Sequence, residues 1–323
     1  MTATQGPKVW LDYDQEELDR QYDQYSLVPD GETYTARNAE ASARTRAAAN
    51  CRLDVAYGEA EGEKLDIFPA TQPGSPVLVF YHGGAWTRGD KGNESHLAPA
   101  FVTAGAAVVF VNFTLTPATT LDGIIEQSRR ALAWVHAHAA EMNGDANRLI
   151  AAGHSSGAHQ AAMMAVTDWT TLGLPADAIK GTVITSGMFD LRPVQLSYRN
   201  GYLHLDDAAV ERLSPIRHLR PGLAPITLFY GEGELAEFRR QGRDFAQAMR
   251  DAGLTVAALD AAPTGSATTI VPCHVQTWSF AREFRLQSRT TDEPFVDLHP
   301  SPRPPRDGLR ARAGRGNAAG AAG

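Results

Sequence analysis

The chain has 323 residues, of which 43% are hydrophobic and 21% charged, so its composition is that of a globular protein with a substantial core. Its formal net charge of -7 argues against a nucleic-acid-binding surface or an anionic membrane partner, and a small molecule is the expected partner. The two cysteines, Cys51 and Cys273, lie far apart and form no metal-ligand spacing, which fits a reducing cytoplasm.

The sequence shows no targeting or membrane segment. Residues 1–17 are polar and acidic and lack the apolar stretch of a signal peptide. The longest strongly apolar runs, such as residues 106–111, are far shorter than the ~20 residues that a membrane helix needs. We therefore predict a cytoplasmic protein without a membrane or nucleic-acid partner, and a homodimer remains open.

The first 50 residues carry two helical patterns, at about 15–25 and 36–50, which predict a helical extension that packs on a larger domain. The next segment alternates apolar and polar residues on either side of a turn at 59–63, which predicts an antiparallel hairpin. The alternating apolar residues are Leu53, Val55, Tyr57, Leu65 and Ile67.

After Pro73, short apolar runs alternate with helical stretches, which favours an α/β fold with a mostly parallel sheet and helices on both faces. The predicted strands are residues 77–81, 106–112, 148–152, 181–185, 226–230 and 256–259, and the clearest helices are 121–141 and 236–252. We predict that the main domain spans residues 51–289. Residues 290–323 are rich in Pro, Arg, Gly and Ala, a composition that predicts disorder.

The pentapeptide Gly153-His154-Ser155-Ser156-Gly157 lies between a predicted strand and a predicted helix. A G-x-S-x-G sequence at such a junction is typical of the nucleophile elbow of serine hydrolases, which makes Ser155 a candidate nucleophile. An isolated match of this kind is about as often an ordinary glycine-containing loop. Its meaning therefore depends on the other motifs.

A second motif, His82-Gly83-Gly84-Ala85-Trp86, directly follows the predicted strand at 77–81. Glycines at this place let backbone N–H groups approach a developing oxyanion, although a plain turn is the simpler alternative. Two motifs that each follow a predicted strand, in the right order, argue against coincidence. A third feature is the turn Gly231-Glu232-Gly233-Glu234 after a late strand, which offers carboxylates where such an enzyme places its acid.

These motifs resemble the arylformamidase, or kynurenine formamidase, branch of the α/β-hydrolases and its esterase relatives. Residues 186–193, Ser214-Pro215, Glu237-Phe238 and the N-terminal residues 18–22 are also similar, so that the resemblance covers roughly residues 14–260. It implies an α/β-hydrolase fold and a serine hydrolase that cleaves an N-formyl amide such as N-formylkynurenine, or a small ester, through an acyl-enzyme. No cofactor and no metal are implied.

The resemblance places the oxyanion-hole amides on Gly84, Ala85 and Ser156 and the catalytic acid on Glu234. Relatives usually carry aspartate at the position of Glu234, and glutamate reaches one methylene further. Trp86 and His154 are candidate substrate contacts, although a buried tryptophan and a packed histidine are equally good interpretations. His136 and His138 are two residues apart on a predicted helix and cannot share a face, which argues against a metal site.

The base is the largest departure from the family. Relatives carry a histidine in a short loop after the last strand, whereas the candidate here, His274, comes several residues late. One interpretation is that His274 is the base; another is a catalytically impaired protein of this fold that binds a small molecule. A third hypothesis is a change of reading frame near Thr264, because residues 266–271 read in another frame can encode a histidine loop like that of the relatives.

Overall fold

The structure is a computed structural model that describes residues 6–27, 31–231 and 233–261, without the side chains of Tyr25 and residues 257–261. His274 and the predicted disordered tail, residues 290–323, lie outside the described residues.

One sheet forms the centre of the described chain. Its strands are β1 Arg52–Ala56, β2 Lys64–Phe68, β3 Ser75–Tyr81, β4 Ala107–Val111, β5 Gly144–His154, β6 Ile179–Thr185, β7 Ile226–Gly231 and β8 Val256–Ala261. Within the described residues they lie in the order β1-β2-β4-β3-β5-β6-β7-β8. The pairs β1–β2 and β2–β4 are antiparallel and all other neighbouring pairs are parallel. The predicted hairpin and the mostly parallel sheet are confirmed.

The α-helices of the described chain lie before the sheet and between its strands. They are α1 Gln15–Arg20, α2 Gly31–Ala48, α3 Ala98–Thr103, α4 Leu121–His138, α5 Ser156–Val166, α6 Arg192–Leu196, α7 Asn200–Leu203, α8 Asp207–Leu213 and α9 Ala236–Asp251. The first N-terminal helix ends earlier than the pattern predicts, at Arg20, and the second begins earlier, at Gly31.

Both faces of the sheet are covered, which explains why its strands are continuously apolar. Successive side chains of β3 point to opposite faces: Val79 enters a core cluster that includes Leu132 of α4, whereas Phe80 enters a second cluster that includes Phe101 of α3. Every residue of β3 is buried, as in a strand between two helical layers.

The N-terminal segments pack against the sheet domain through specific contacts. Leu18 and Tyr22 are completely buried, and the Tyr22 ring meets Phe238 of α9 edge to face with centroids 5.8 Å apart. In α2, the Ser42 hydroxyl donates to the backbone carbonyl of Asn93 at 2.6 Å. Each of the two described N-terminal segments, residues 6–27 and 31–48, is therefore in contact with the domain.

Four parallel neighbours, β3, β5, β6 and β7, bring their carboxyl ends to one edge of the sheet. The residues that follow them directly are His82, Ser155, Ser186 and the turn that contains Glu234. Ligands bind at this edge in open α/β sheets because the loops there converge. The fold thus collects three separate sequence motifs in one place.

Candidate active site

Ser155 lies on a strained turn between β5 and α5. Its backbone has φ 56° and ψ -121°, a conformation that is costly for a residue with a side chain, and its N–H donates to Thr185 O at 2.8 Å. A Cβ atom on Gly157 would stand 2.0 Å from Tyr81 O, and one on Gly153 would stand 2.2 Å from Gly157 O. The two glycines therefore let the turn lie directly against β3, as a nucleophile elbow requires.

The loop after β3 runs past this serine. A Cβ atom on Gly83 would be 3.3 Å from the Ser155 Cβ, so the two backbones are in contact. Gly84 has φ 122°, and Ala85 has φ 52° although it carries a side chain. Within the described residues, no backbone hydrogen bond uses the N–H of Gly84 or Ala85, while Ser156 is the first residue of α5 and so has no intrahelical acceptor. These three amides are the ones that the resemblance implies.

Glu234 is nearly buried, with 8% of its surface exposed, at the turn after β7. Its Oε1 atom accepts hydrogen bonds from the Ser186 hydroxyl at 2.6 Å and from the Gly231 N–H at 2.7 Å. Its Oε2 atom is buried and has no partner within the described residues. Burial raises the pKa of the carboxyl, and the bonds from Ser186 and Gly231 oppose that rise. An acceptor oxygen therefore remains for a further donor.

A cavity of about 340 Å³ joins these parts. One wall holds the candidate catalytic groups, namely Gly83, Gly84, Ala85, His154, Ser155, Ser186 and Glu234. The N-terminal segments form another wall, with Gln24, Leu27, Thr35 and Asn38. Arg88, Asp90 and Glu94 add charged groups to the lining. Its volume is in the range of small-molecule sites.

Each described histidine at this edge of the sheet either has a lowered pKa, which keeps it neutral, or is in contact with other groups. His154 lines the cavity, and desolvation lowers its pKa to about 4. His82 is buried, stacks on Phe113 at 4.5 Å, and its Nδ1 atom is 2.7 Å from Gly83 O. His159 has its Nε2 atom 2.7 Å from Leu213 O. No hydrogen bond joins any described histidine to Glu234.

The two candidate substrate contacts, His154 and Trp86, lie in different environments. His154 does face the cavity, whereas Trp86 is fully buried, packs edge to face on His159 at 5.3 Å and is not among the cavity-lining residues. The burial of Trp86 favours the interpretation of a packed tryptophan, and its backbone has φ 62°. Glu232, the other acidic residue of the turn, is outside the described residues.

Ser186 is the site residue whose role the sequence analysis missed. In the sequence, Ser186 stands out only as the first residue of a stretch, residues 186–193, that resembles the family. The signal available in sequence was its position directly after the β6 strand, where a parallel sheet delivers residues to the ligand-binding edge.

The described residues contain no cluster of three or more histidine, cysteine, aspartate or glutamate side chains that could hold a metal ion. In the same part of the chain, no helix combines the length and the apolar character needed to cross a bilayer.

The sheet order, the strained serine at its carboxyl edge and the adjoining cavity define an α/β-hydrolase. Comparison with known proteins agrees with this class. The family model BD-FAE matches residues 65–186. The kynurenine formamidase of Danio rerio is 33% identical over 268 residues, which cover 79% of this chain and 90% of that protein. Esterase LipQ of Mycobacterium tuberculosis is 29% identical over 223 residues, which cover 62% of this chain and 53% of LipQ.

Among solved structures, a candidate thioesterase from a Silicibacter species superimposes with a TM-score of 0.69 at 28% identity, over 79% of this chain and 94% of that one. The chain belongs to the kynurenine formamidase and esterase family of α/β-hydrolases. It is accordingly a hydrolase of ester or formamide bonds.

Proposed function

We propose that the protein hydrolyses an N-formyl amide of the N-formylkynurenine type through an acyl-enzyme on Ser155. The observation that carries the proposal is the meeting of Ser155, the Gly84–Ala85 loop and Glu234 in one cavity of about 340 Å³. The Ser155 oxygen forms a bond to the formyl carbon while a base removes the hydroxyl proton. The base returns that proton to the departing amine as the C–N bond breaks, and water then releases formate by the same steps.

The amides of Gly84, Ala85 and Ser156 are proposed to hold the oxyanion of each tetrahedral intermediate. Backbone donors are fixed before the reaction begins, so they need no reorganisation as charge develops. A single oxyanion-hole donor is worth about 2.7 to 4 kcal/mol of transition-state stabilisation in a well-studied serine protease. The positive φ of Ala85, which carries a side chain, supports this role, since backbone strain persists where a function maintains it.

Glu234 is proposed as the acid that orients the base, through its unpartnered Oε2 atom. A buried carboxylate oxygen without a donor is costly, and an imidazole N–H would satisfy it. His274 is the candidate base and lies outside the described residues. The substrate is assigned from the relatives, because the Danio rerio relative bears the name kynurenine formamidase.

A general carboxylesterase is the second candidate, since LipQ is named as an esterase. A catalytically impaired binding protein is the third, because His274 comes late in the sequence. The partner that we propose is a small ester or formamide substrate, with a homodimer left open, and a cytoplasmic location fits the two distant cysteines.

Labelling with a fluorophosphonate probe tests whether Ser155 is activated. We expect stoichiometric reaction at Ser155 and none in the Ser155→Ala variant, with the modified peptide identified by mass spectrometry. Failure of the well-folded wild-type protein to react would support the binding protein. Resequencing the gene around codon 264 then distinguishes a changed reading frame from a native sequence.

Turnover of N-formylkynurenine and of p-nitrophenyl acetate by the same preparation tests the substrate. We expect the larger kcat/KM for N-formylkynurenine. Brisk ester hydrolysis with negligible release of formate would instead establish the esterase.

A further inference from the structure

Ser186 makes a short contact with the proposed acid. It follows β6 directly, has 5% of its surface exposed and takes φ 55°, a region that residues with side chains rarely adopt. Its N–H is fixed to Phe229 O at 3.0 Å, and its hydroxyl donates to Glu234 Oε1 at 2.6 Å. The backbone of Ser186 is therefore in a costly conformation, and this conformation directs the hydroxyl at one oxygen of the Glu234 carboxylate.

The two oxygens of Glu234 are in different environments. Oε1 accepts from both Ser186 and the Gly231 N–H, whereas Oε2 is buried without a partner in the described part of the chain. Two donors from separate places in the chain, the residue after β6 and the last residue of β7, fix the orientation of the carboxylate plane. A single donor from its own turn would leave the carboxylate free to rotate about that bond.

We propose that Ser186 is a positioning residue of the hydrolytic site, which saturates Oε1 of Glu234 so that Oε2 remains available to the base. This inference rests on the proposed function, because it takes Glu234 as the catalytic acid. Ser186 also favours the ionised form of Glu234. Its hydrogen bond lowers the pKa of Glu234 and so opposes the rise that burial causes. The carboxyl then stays ionised at lower pH than it could without Ser186.

Other charges around Glu234 must be considered when its titration is interpreted. Arg239 on α9 also lowers the pKa of Glu234, and His154, which lines the same cavity, has its pKa lowered to about 4 and is neutral above that value. The remaining charged groups of the cavity lining are Arg88, Asp90 and Glu94. None of these groups is changed in the variants below, so any shift reports the loss of the Ser186 hydroxyl.

The test compares Ser186→Ala and Ser186→Gly with the full-length wild-type protein. The glycine variant removes the hydroxyl and also relieves the positive φ, so it guards against a failure to fold. Ser197→Ala is the matched control, because Ser197 is a similarly buried serine whose hydroxyl donates to Val194 O, away from Glu234. The Glu234 carboxyl is followed by NMR in protein labelled with ¹³C at the glutamate side-chain carboxyl and is assigned with Glu234→Gln.

We expect both Ser186 variants to raise the pKa of Glu234 and to shift the acid limb of the kcat/KM profile to higher pH. Labelling of Ser155 by the fluorophosphonate should slow about tenfold at neutral pH, while KM changes little. An unchanged pKa of Glu234 in a folded variant would overturn the inference, and so would a changed pKa with unaltered labelling and turnover. If the wild-type protein neither labels nor turns over substrate, the proposed function fails, and the pKa alone decides whether Ser186 controls Glu234.

Discussion

The hydroxyl of Tyr22 lies 3.4 Å from Oε1 of Glu237, a residue of the first turn of the helix that follows the proposed acid. Glu237 is completely buried and is also paired with Arg240, whose Nη2 and Nε atoms donate to it at 2.7 and 2.8 Å. On the other side, the Arg199 guanidinium donates to Tyr22 O at 2.7 Å. The N-terminal segment is therefore tied by a buried polar cluster to the helix that follows Glu234.

Loss of the Glu237 carboxylate should be strongly destabilising. Glu237→Ala leaves the Tyr22 hydroxyl and much of the Arg240 guanidinium without their acceptor, and breaking a buried pair costs about 3 to 5 kcal/mol. Because Arg240 Nη1 still donates to Asp244 Oδ2 at 2.5 Å in this variant, we expect a loss of stability near the lower end of that range. Urea denaturation measures the free energy of unfolding.

The matched control for this prediction is Arg44→Ala, which removes an exposed ion pair with Glu40 on α2. Such a surface pair is worth about 0 to 1 kcal/mol. Equal losses in Glu237→Ala and Arg44→Ala would show that the buried cluster does not hold the N-terminal segment.

A methyl group at Gly157 should disrupt the elbow. A Cβ atom there would stand 2.0 Å from the Tyr81 carbonyl oxygen, and because neither atom can move without its backbone, the turn must shift. We expect Gly157→Ala to lose about 1 to 3 kcal/mol of stability and to slow fluorophosphonate labelling of Ser155 by at least about tenfold.

Gly201→Ala is the control for the elbow variant, since a Cβ atom on this helical glycine meets nothing within 4 Å. Alanine is favoured over glycine in a helix by about 0.5 to 1 kcal/mol, so this variant should be slightly more stable and label normally. Normal labelling of Gly157→Ala would argue against the assignment of Ser155 as the nucleophile of an elbow.

The strands could be predicted because buried parallel strands are short apolar runs, and the end of each run located the motifs that follow it. The short helices α6, α7 and α8 escaped prediction, since helices of four to seven residues carry too little periodicity. Ser186 escaped because its role depends on the neighbouring strand, and a pairing between β6 and β7 is not encoded in either segment alone. Trp86 was ambiguous because a motif specifies its residues and not the face to which a positive φ directs them.

Glu94 should make stability depend on pH near neutrality. Desolvation and the charge of Asp90 raise the pKa of Glu94 from 4.5 to about 7. The folded protein thus holds this proton more tightly than the unfolded chain, so its contribution is fully present below pH 4.5, falls as the pH rises to about 7, and is constant above that. Glu94→Gln should therefore gain stability over the wild type through this window.

The gain should be on the order of 1 kcal/mol at pH 8, after allowance for the partial exposure of Glu94, and thermal unfolding at pH 4.5, 6 and 8 measures it. Asp90→Asn is the companion variant, because asparagine keeps an acceptor for the Gly92 N–H but removes the neighbouring charge. In Asp90→Asn, stability should therefore change less between pH 4.5 and 8 than it does in the wild type. A difference between Glu94→Gln and wild type that is the same at all three pH values would contradict the raised pKa.

The N-terminal wall of the cavity should contribute to substrate size selection. Leu27 lines the same cavity as Ser155, yet it is 37% exposed and belongs to the segment tied down by Tyr22. Leu27→Ala should raise the KM for N-formylkynurenine about fivefold, as the loss of ~1 kcal/mol of apolar contact implies, while kcat stays close to that of the wild type. The KM for p-nitrophenyl acetate, a smaller substrate, should change less. Leu11→Ala, at a 60% exposed position outside the cavity lining, is the control, and equal effects of the two variants would show that the N-terminal wall does not contact substrate.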